Sequence, residues 1–224
     1  MVNITYNVIC RNVLKAVRRV SLYLALGDSI TAGYGVGSEF SFPAVYSNFL
    51  RRHDPDLRVY NLGVNGLTTQ GLLELLQFNH RLRQLVSQAS LITITIGSND
   101  LLRLIRNSNQ LVNSQQLGVV LGNLAKTLAL IGEVLRQLNP RAIIKVGTLY
   151  NPLPAGPYAQ YYVQVQGVID SANAIVISWA KRYGFVVVYI DREIRGKESS
   201  LIGSDYGHPN AAGYRAIAKA FARY

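Results

Sequence analysis

The stretch Leu22-Tyr23-Leu24-Ala25-Leu26-Gly27-Asp28-Ser29-Ile30-Thr31-Ala32-Gly33 decides how this chain is read. An apolar run stops abruptly at Gly27-Asp28-Ser29, the pattern of a strand buried on both faces that ends in a sharp turn. Such a turn sets one serine at the mouth of the strand, with its hydroxyl toward a cleft. Further short apolar runs, several rich in β-branched residues, lie at Arg58–Asn61, Leu91–Ile96, Ala142–Val146 and Phe185–Ile190. Helical patterns separate them. Phe42–Arg52 opens near Ser41 and Pro43 like a capped helix start. Thr69–Ser87 is rich in Leu at helical spacing. Gln115–Leu138 is stopped by Asn139-Pro140, Tyr161–Tyr183 is closed by Gly184, and Pro209–Arg223 ends the chain's pattern. Strand and helix in alternation predict an α/β fold, a parallel sheet covered by helices on both faces. No repeat or linker interrupts it, so residues 1–21 read as an N-terminal arm and residues 22–224 as one domain.

Composition narrows the function. Apolar residues make up 49% of the 224 and charged residues 16%. That supplies a sizeable core and excludes a disordered chain. No apolar stretch approaches the ~20 residues that cross a bilayer. The basic residues Arg11, Lys15, Arg18 and Arg19 follow Val8-Ile9-Cys10, which is not the order of a secretion signal; the expectation is a cytoplasmic rather than a secreted protein. Cys10 is the one cysteine, so no intrachain disulfide forms. The net charge of +11 is scattered, without basic runs interleaved with aromatics. This argues against nucleic acid as a partner. It reads as a solvated basic surface, with weak contact to an anionic membrane surface as the alternative.

In an open parallel sheet, ligands bind where the strands end at their carboxyl termini. Gly27-Asp28-Ser29 follows the first strand, Gly63-Val64-Asn65-Gly66 the second and Gly97-Ser98-Asn99-Asp100 the third, which puts all three on one edge. Asp205-Tyr206-Gly207-His208-Pro209 follows the fifth strand and reaches the same edge. A serine hydroxyl is a weak nucleophile that needs a base and oxyanion donors. His208 is the candidate base, placed by Pro209 at the lip of the last helix. Asp205, three residues earlier, is the candidate to hold its Nδ1–H and fix the tautomer. The Ser29 N–H, the Gly63 N–H and the Asn99 side-chain amide are the candidate oxyanion donors. Each has a plainer reading: Asp28 or Ser29 as a helix cap, Gly63 as a tight turn, Asn99 as the cap of a short helix. His53 and His80 are rival bases in poorer places, and Asp191 is a rival acid directly after the fifth strand. Asp28 is expected to brace the turn rather than to act as the acid.

Together these blocks resemble the SGNH hydrolases, also called the GDSL esterase/lipase family. Gly27 to Gly33, Asn61 to Gly66, Gly97 to Asp100 and Asp205 to Pro209 match the family's blocks in the family's order, over about residues 22–223. The resemblance implies a three-layer α/β/α sandwich with a flavodoxin-like five-stranded parallel sheet. It implies Ser29 as nucleophile, His208 as base, Asp205 as orienting acid, an oxyanion hole from Ser29, Gly63 and Asn99, and neither metal nor organic cofactor. The absence of Gly-x-Ser-x-Gly argues against an α/β-hydrolase elbow.

The expected function is ester hydrolysis through an acyl-serine, of the carboxylesterase or lysophospholipase kind, on lipid-like or short-chain small-molecule esters. A carbohydrate O-deacetylase is the in-class alternative, and a non-catalytic binding module on the same fold is the alternative of another class. The loop Tyr150 to Tyr162 follows the fourth strand and overhangs the cleft; Tyr158 and Tyr161 are candidates for an acyl-binding wall, against plain packing of the loop.

Overall fold

The computed structural model describes residues 21–107, 114–154, 156 and 159–224. It forms a five-stranded, wholly parallel sheet in the order β2-β1-β3-β4-β5. The strands are β1 (Leu22–Gly27), β2 (Arg58–Gly63), β3 (Leu91–Thr95), β4 (Ile143–Gly147) and β5 (Val186–Val188). The helices, in chain order, are α1 (Ser29–Ala32), α2 (Phe42–Leu50), α3 (Thr69–Phe78), α4 (His80–Gln88), α5 (Ser98–Asn107), α6 (Ser114–Leu138), α7 (Ala159–Arg182), α8 (Ile190–Ile194), α9 (Glu198–Leu201) and α10 (Ala211–Arg223). The arm expected over residues 1–21 lies, apart from Ser21, outside the described residues.

Side-chain alternation in β1 divides the core. Leu22, Leu24 and Leu26 face one layer, with Ile92 and Ile94 of β3 and buried Leu72, Leu76, Leu128, Ile131 and Val176 of the helices. Tyr23 and Ala25 face the other, with Phe42, Tyr46, Tyr214, Ile217 and Phe221. Period two in the strands and period 3.6 in the helices therefore meet in two separate cores. Phe42 of α2 stacks on Phe221 of α10 at 4.8 Å, which ties the helices of the second layer together.

Helix boundaries differ from the sequence reading in places with a common cause. The Leu-rich segment from Thr69 breaks at Asn79, whose Oδ1 accepts the Leu82 N–H and so caps a new helix. The last helix starts at Ala211, not Pro209: Asn210 is the cap, accepting the Ala212 and Gly213 N–H groups. Pro209 instead pairs with Ile202 in an isolated bridge. An Asn side chain competes with the helical backbone and wins at a terminus. Ser41 does precede α2, but its hydroxyl donates to the Ser38 carbonyl rather than capping the helix. The expectation of no membrane-length apolar segment also needs correction. By length and composition alone, α6 is long and apolar enough to cross a membrane. In this fold it buries Leu124, Leu128, Ile131 and Leu135 along one face against the first core.

Register positions the site. Gly27 of β1 lies opposite Gly63 of β2 and Thr95 of β3, so the chain leaves these three strands from one row.

Candidate active site

Asp28 leaves that row first and caps α1. Its Oδ1 accepts the Ile30 N–H at 3.1 Å and the Thr95 hydroxyl at 3.1 Å. Its own N–H donates to the Thr95 carbonyl at 3.0 Å. Thr31 and Thr95 share a further hydrogen bond of 2.7 Å. Asp28 is thus the brace of the turn. Burial pushes its carboxyl up to about 7, against the opposing pull of those N–H and O–H donors.

Ser29 is the first residue of α1, and its Oγ lies 2.9 Å from His208 Nε2. His208 Nδ1 lies 2.6 Å from Asp205 Oδ2. The other carboxylate oxygen, Oδ1, accepts the Gly207 N–H at 3.1 Å and the His208 N–H at 3.0 Å. With both its oxygens held, the carboxylate takes the imidazole Nδ1–H and leaves Nε2 to accept from the serine. Partial burial pushes the Asp205 carboxyl up; the bonds from His208 N–H, the imidazole and Gly207 N–H outweigh it and hold the group below the ordinary carboxylate value.

The loop carrying the pair is anchored from below. Tyr150, after β4, donates its hydroxyl to the Gly207 carbonyl at 2.9 Å. The Gly203 N–H donates to the His208 carbonyl at 2.8 Å. Tyr206 between them has φ +52°, the one non-glycine residue with positive φ among the described residues. Left-handed backbone there costs on the order of 1 kcal/mol.

The candidate oxyanion donors fare unequally. The Ser29 N–H, in the first turn of α1, has no helical partner and donates to no described group. Asn99 donates one amide hydrogen to the Leu67 carbonyl at 2.9 Å, which fixes the side chain and leaves its second N–H. Next to it, Asp100 accepts the Thr69 hydroxyl at 2.6 Å and the Thr69 N–H at 3.0 Å, pinning the start of α5 to the start of α3. Gly63 is different. Its N–H donates to Asn61 Oδ1 at 3.0 Å, while Asn61 Nδ2 donates to the Thr31 carbonyl at 2.8 Å. Its lack of a side chain has a packing cause: a Cβ there would stand 2.2 Å from the Ala32 nitrogen. Gly63 is thus required for the close approach of β2 to α1.

The rivals are elsewhere. His53 and His80 are exposed and remote from the strand ends. Asp191 accepts the Thr148 hydroxyl at 2.6 Å and faces Arg195 at 3.7 Å, so it serves the β4–α8 junction. Tyr158 lies outside the described residues, and Tyr161 stands half-exposed on α7. The tyrosines that reach the site are others. Tyr150 anchors the Asp205–His208 loop, and Tyr34 packs against the His208 ring. Neither was legible as a site residue, because their partners lie far away along the chain. The traces were the glycines around Tyr34 and the place of Tyr150 at the start of the loop expected to overhang the cleft.

A parallel α/β/α sandwich with a hydrogen-bonded Ser–His–Asp chain at the carboxyl edge of its sheet has the architecture of a serine-dependent hydrolase fold. Comparison with known proteins agrees. The model of the GDSL-like Lipase/Acylhydrolase family matches residues 25–216, and the chain belongs to that family. It is 26% identical over 205 residues to the spore germination lipase LipC of Bacillus licheniformis, covering 88% of this chain and 92% of LipC. The fold is similar to that of the lipase Lip_vut3 from a goat rumen metagenome, with TM-score 0.75, 22% identity and coverage of 90% and 96% of the two chains. It is also similar to the acetyl xylan esterase Axe2 of Geobacillus stearothermophilus, with TM-score 0.65, 19% identity and coverage of 91% and 93%.

Proposed function

We propose that this protein is a serine ester hydrolase in which Ser29, His208 and Asp205 form the catalytic triad. The observation that carries this is the continuous chain of short hydrogen bonds from Ser29 Oγ through the imidazole to Asp205. Ser29 Oγ attacks the ester carbonyl while His208 Nε2 takes its proton. Asp205 stabilises the imidazolium and fixes its tautomer through the Nδ1–H. His208 then gives the proton to the leaving alcohol, and an acyl-serine remains. Water, activated by the same imidazole, releases the acid and restores Ser29.

The tetrahedral oxyanion is received by the Ser29 N–H and the free N–H of Asn99, each worth about 3 kcal/mol of barrier. Gly63 contributes its N–H when the oxyanion displaces Asn61 Oδ1 from it. The preferred ester is lipid-like. Exposed apolar side chains near the site support this: Val64 directly after Gly63, Leu102 one turn beyond Asn99, and Tyr206 inside the Asp205–His208 loop. The charge of +11 supports an anionic lipid surface as the place where such substrates are met.

Hydrolysis of p-nitrophenyl butyrate by the wild type and by Ser29→Ala tests the reading. The expected result is a loss of several orders of magnitude in kcat, and retained turnover in Ser29→Ala would overturn it.

A further inference from the structure

The geometry points to Tyr34 as the positioning residue of the general base, acting through its aromatic face on the His208 imidazole; this rests on the triad proposed above. The two rings are 4.4 Å apart between centroids and tilted by 40°. Tyr34 is 48% exposed, so burial of its own surface does not explain where it stands. The backbone does. Gly33 and Gly35 flank it, both with φ +83°, and the chain turns twice through left-handed geometry to bring this side chain over the imidazole. The turn is tied on both sides, to the nucleophile's residue and to the second core. The Tyr34 N–H donates to the carbonyl of Ser29 at 3.0 Å, and its own carbonyl accepts the hydroxyl of Tyr214 at 2.9 Å. Tyr214 is itself fully buried in the second core. Tyr34 is therefore fixed to the same turn of chain that carries the nucleophile, and its ring touches the base.

Two effects follow. Asp205 restrains the imidazole by one edge only, and a hydrogen bond at Nδ1 leaves the ring free to rock about that axis. An aromatic wall on one face removes the rocking and keeps Nε2 aimed at Ser29. The imidazolium formed during attack also meets the electron-rich face of a phenol ring, an attraction that the neutral imidazole feels less. Both act on the proton transfer. Neither depends on the phenolic hydroxyl or on the length of the acyl chain.

The test is steady-state hydrolysis of p-nitrophenyl acetate, butyrate and octanoate by the wild type, Tyr34→Leu, Tyr34→Phe and Ser29→Ala, with thermal unfolding of each. Leu keeps apolar bulk and removes the π-face; Phe keeps the face and removes the hydroxyl. The expected result is a fall in kcat of about tenfold for Tyr34→Leu, equal across the three esters and with KM little changed, and recovery to within about twofold in Tyr34→Phe. Tyr34→Leu with wild-type kcat would overturn the inference. So would a loss seen in KM alone or on the octanoate alone, which would make Tyr34 a substrate contact, or a Phe variant as impaired as the Leu variant. If Ser29→Ala is inactive in the same series, such results reject the role of Tyr34 only; if Ser29→Ala is active, the triad and this inference fall together.

Discussion

At the scale of single residues, two aspartates near one serine have opposite environments and opposite roles. Asp205 is partly exposed and held by three donors, which keeps it ionised as the partner of an imidazole. Asp28 is 1% exposed, and burial lifts its carboxyl to about 7 from an ordinary 3.8. Between those values the folded state binds a proton that the unfolded state has lost, so the contribution of Asp28 to stability is present at low pH and is lost as pH rises toward 7. Asp28→Asn keeps an acceptor for Ile30 and Thr95 and has no such titration. Urea unfolding is expected to show the variant gaining on the wild type between about pH 4 and about pH 8, by up to about 4 kcal/mol. A constant difference over that range would contradict this. Asp205→Asn preserves size but loses the charge that fixes the tautomer, and kcat on p-nitrophenyl butyrate is expected to fall by about 10⁴.

At the scale of elements, the strands were legible because their signal is local: continuous apolar runs bounded by turn residues. All five appear within a few residues of their expected bounds. Helix ends were less legible, because asparagine decides them through contacts that composition does not show. Asn79 splits a Leu-periodic segment, Asn210 sets the start of α10, and Asn139 does more than end α6. Its Nδ2 donates to the Val86 and Ala89 carbonyls at 2.8 Å each, and its Oδ1 accepts the Arg141 and Ala142 N–H groups. One side chain thus joins the end of α4 to the approach of β4. Asn139→Ala leaves several of these groups unpaired in a site where Asn139 is 6% exposed. Its unfolding free energy is expected to fall by about 3 kcal/mol, read from chemical denaturation, with kcat unchanged. Of the site, Ser29, Asp205 and His208 were readable from motif and strand-end position. The Thr31–Thr95–Asp28 network, the Asp100–Thr69 link and the Asn61 grip on Gly63 were not, since each joins residues 30 or more positions apart or depends on a register seen only in the folded sheet.

At the scale of the whole molecule, two cores on either side of a parallel sheet clamp a row of strand ends, and the site grows from that row. The rigid floor explains how loops from distant parts of the chain hold Ser29, His208 and Asp205 within hydrogen-bond reach of one another. In the function proposed above, exposed apolar side chains and the whole-chain charge of +11 direct the enzyme to lipid-like esters at anionic surfaces. Vesicles containing phosphatidylglycerol are expected to co-sediment the protein at about 50 mM salt and to release it at about 0.5 M, where charges are screened within a few ångströms. Binding that ignores salt would reject the electrostatic part of that picture. The central claim is that Ser29 is a nucleophile activated by His208, and intact-mass spectrometry after treatment with a fluorophosphonate tests it most directly. A single adduct on the wild type that maps to Ser29, slows in His208→Ala and is absent from Ser29→Ala is the predicted result; an unlabelled wild type, or an equal adduct on Ser29→Ala, would contradict it.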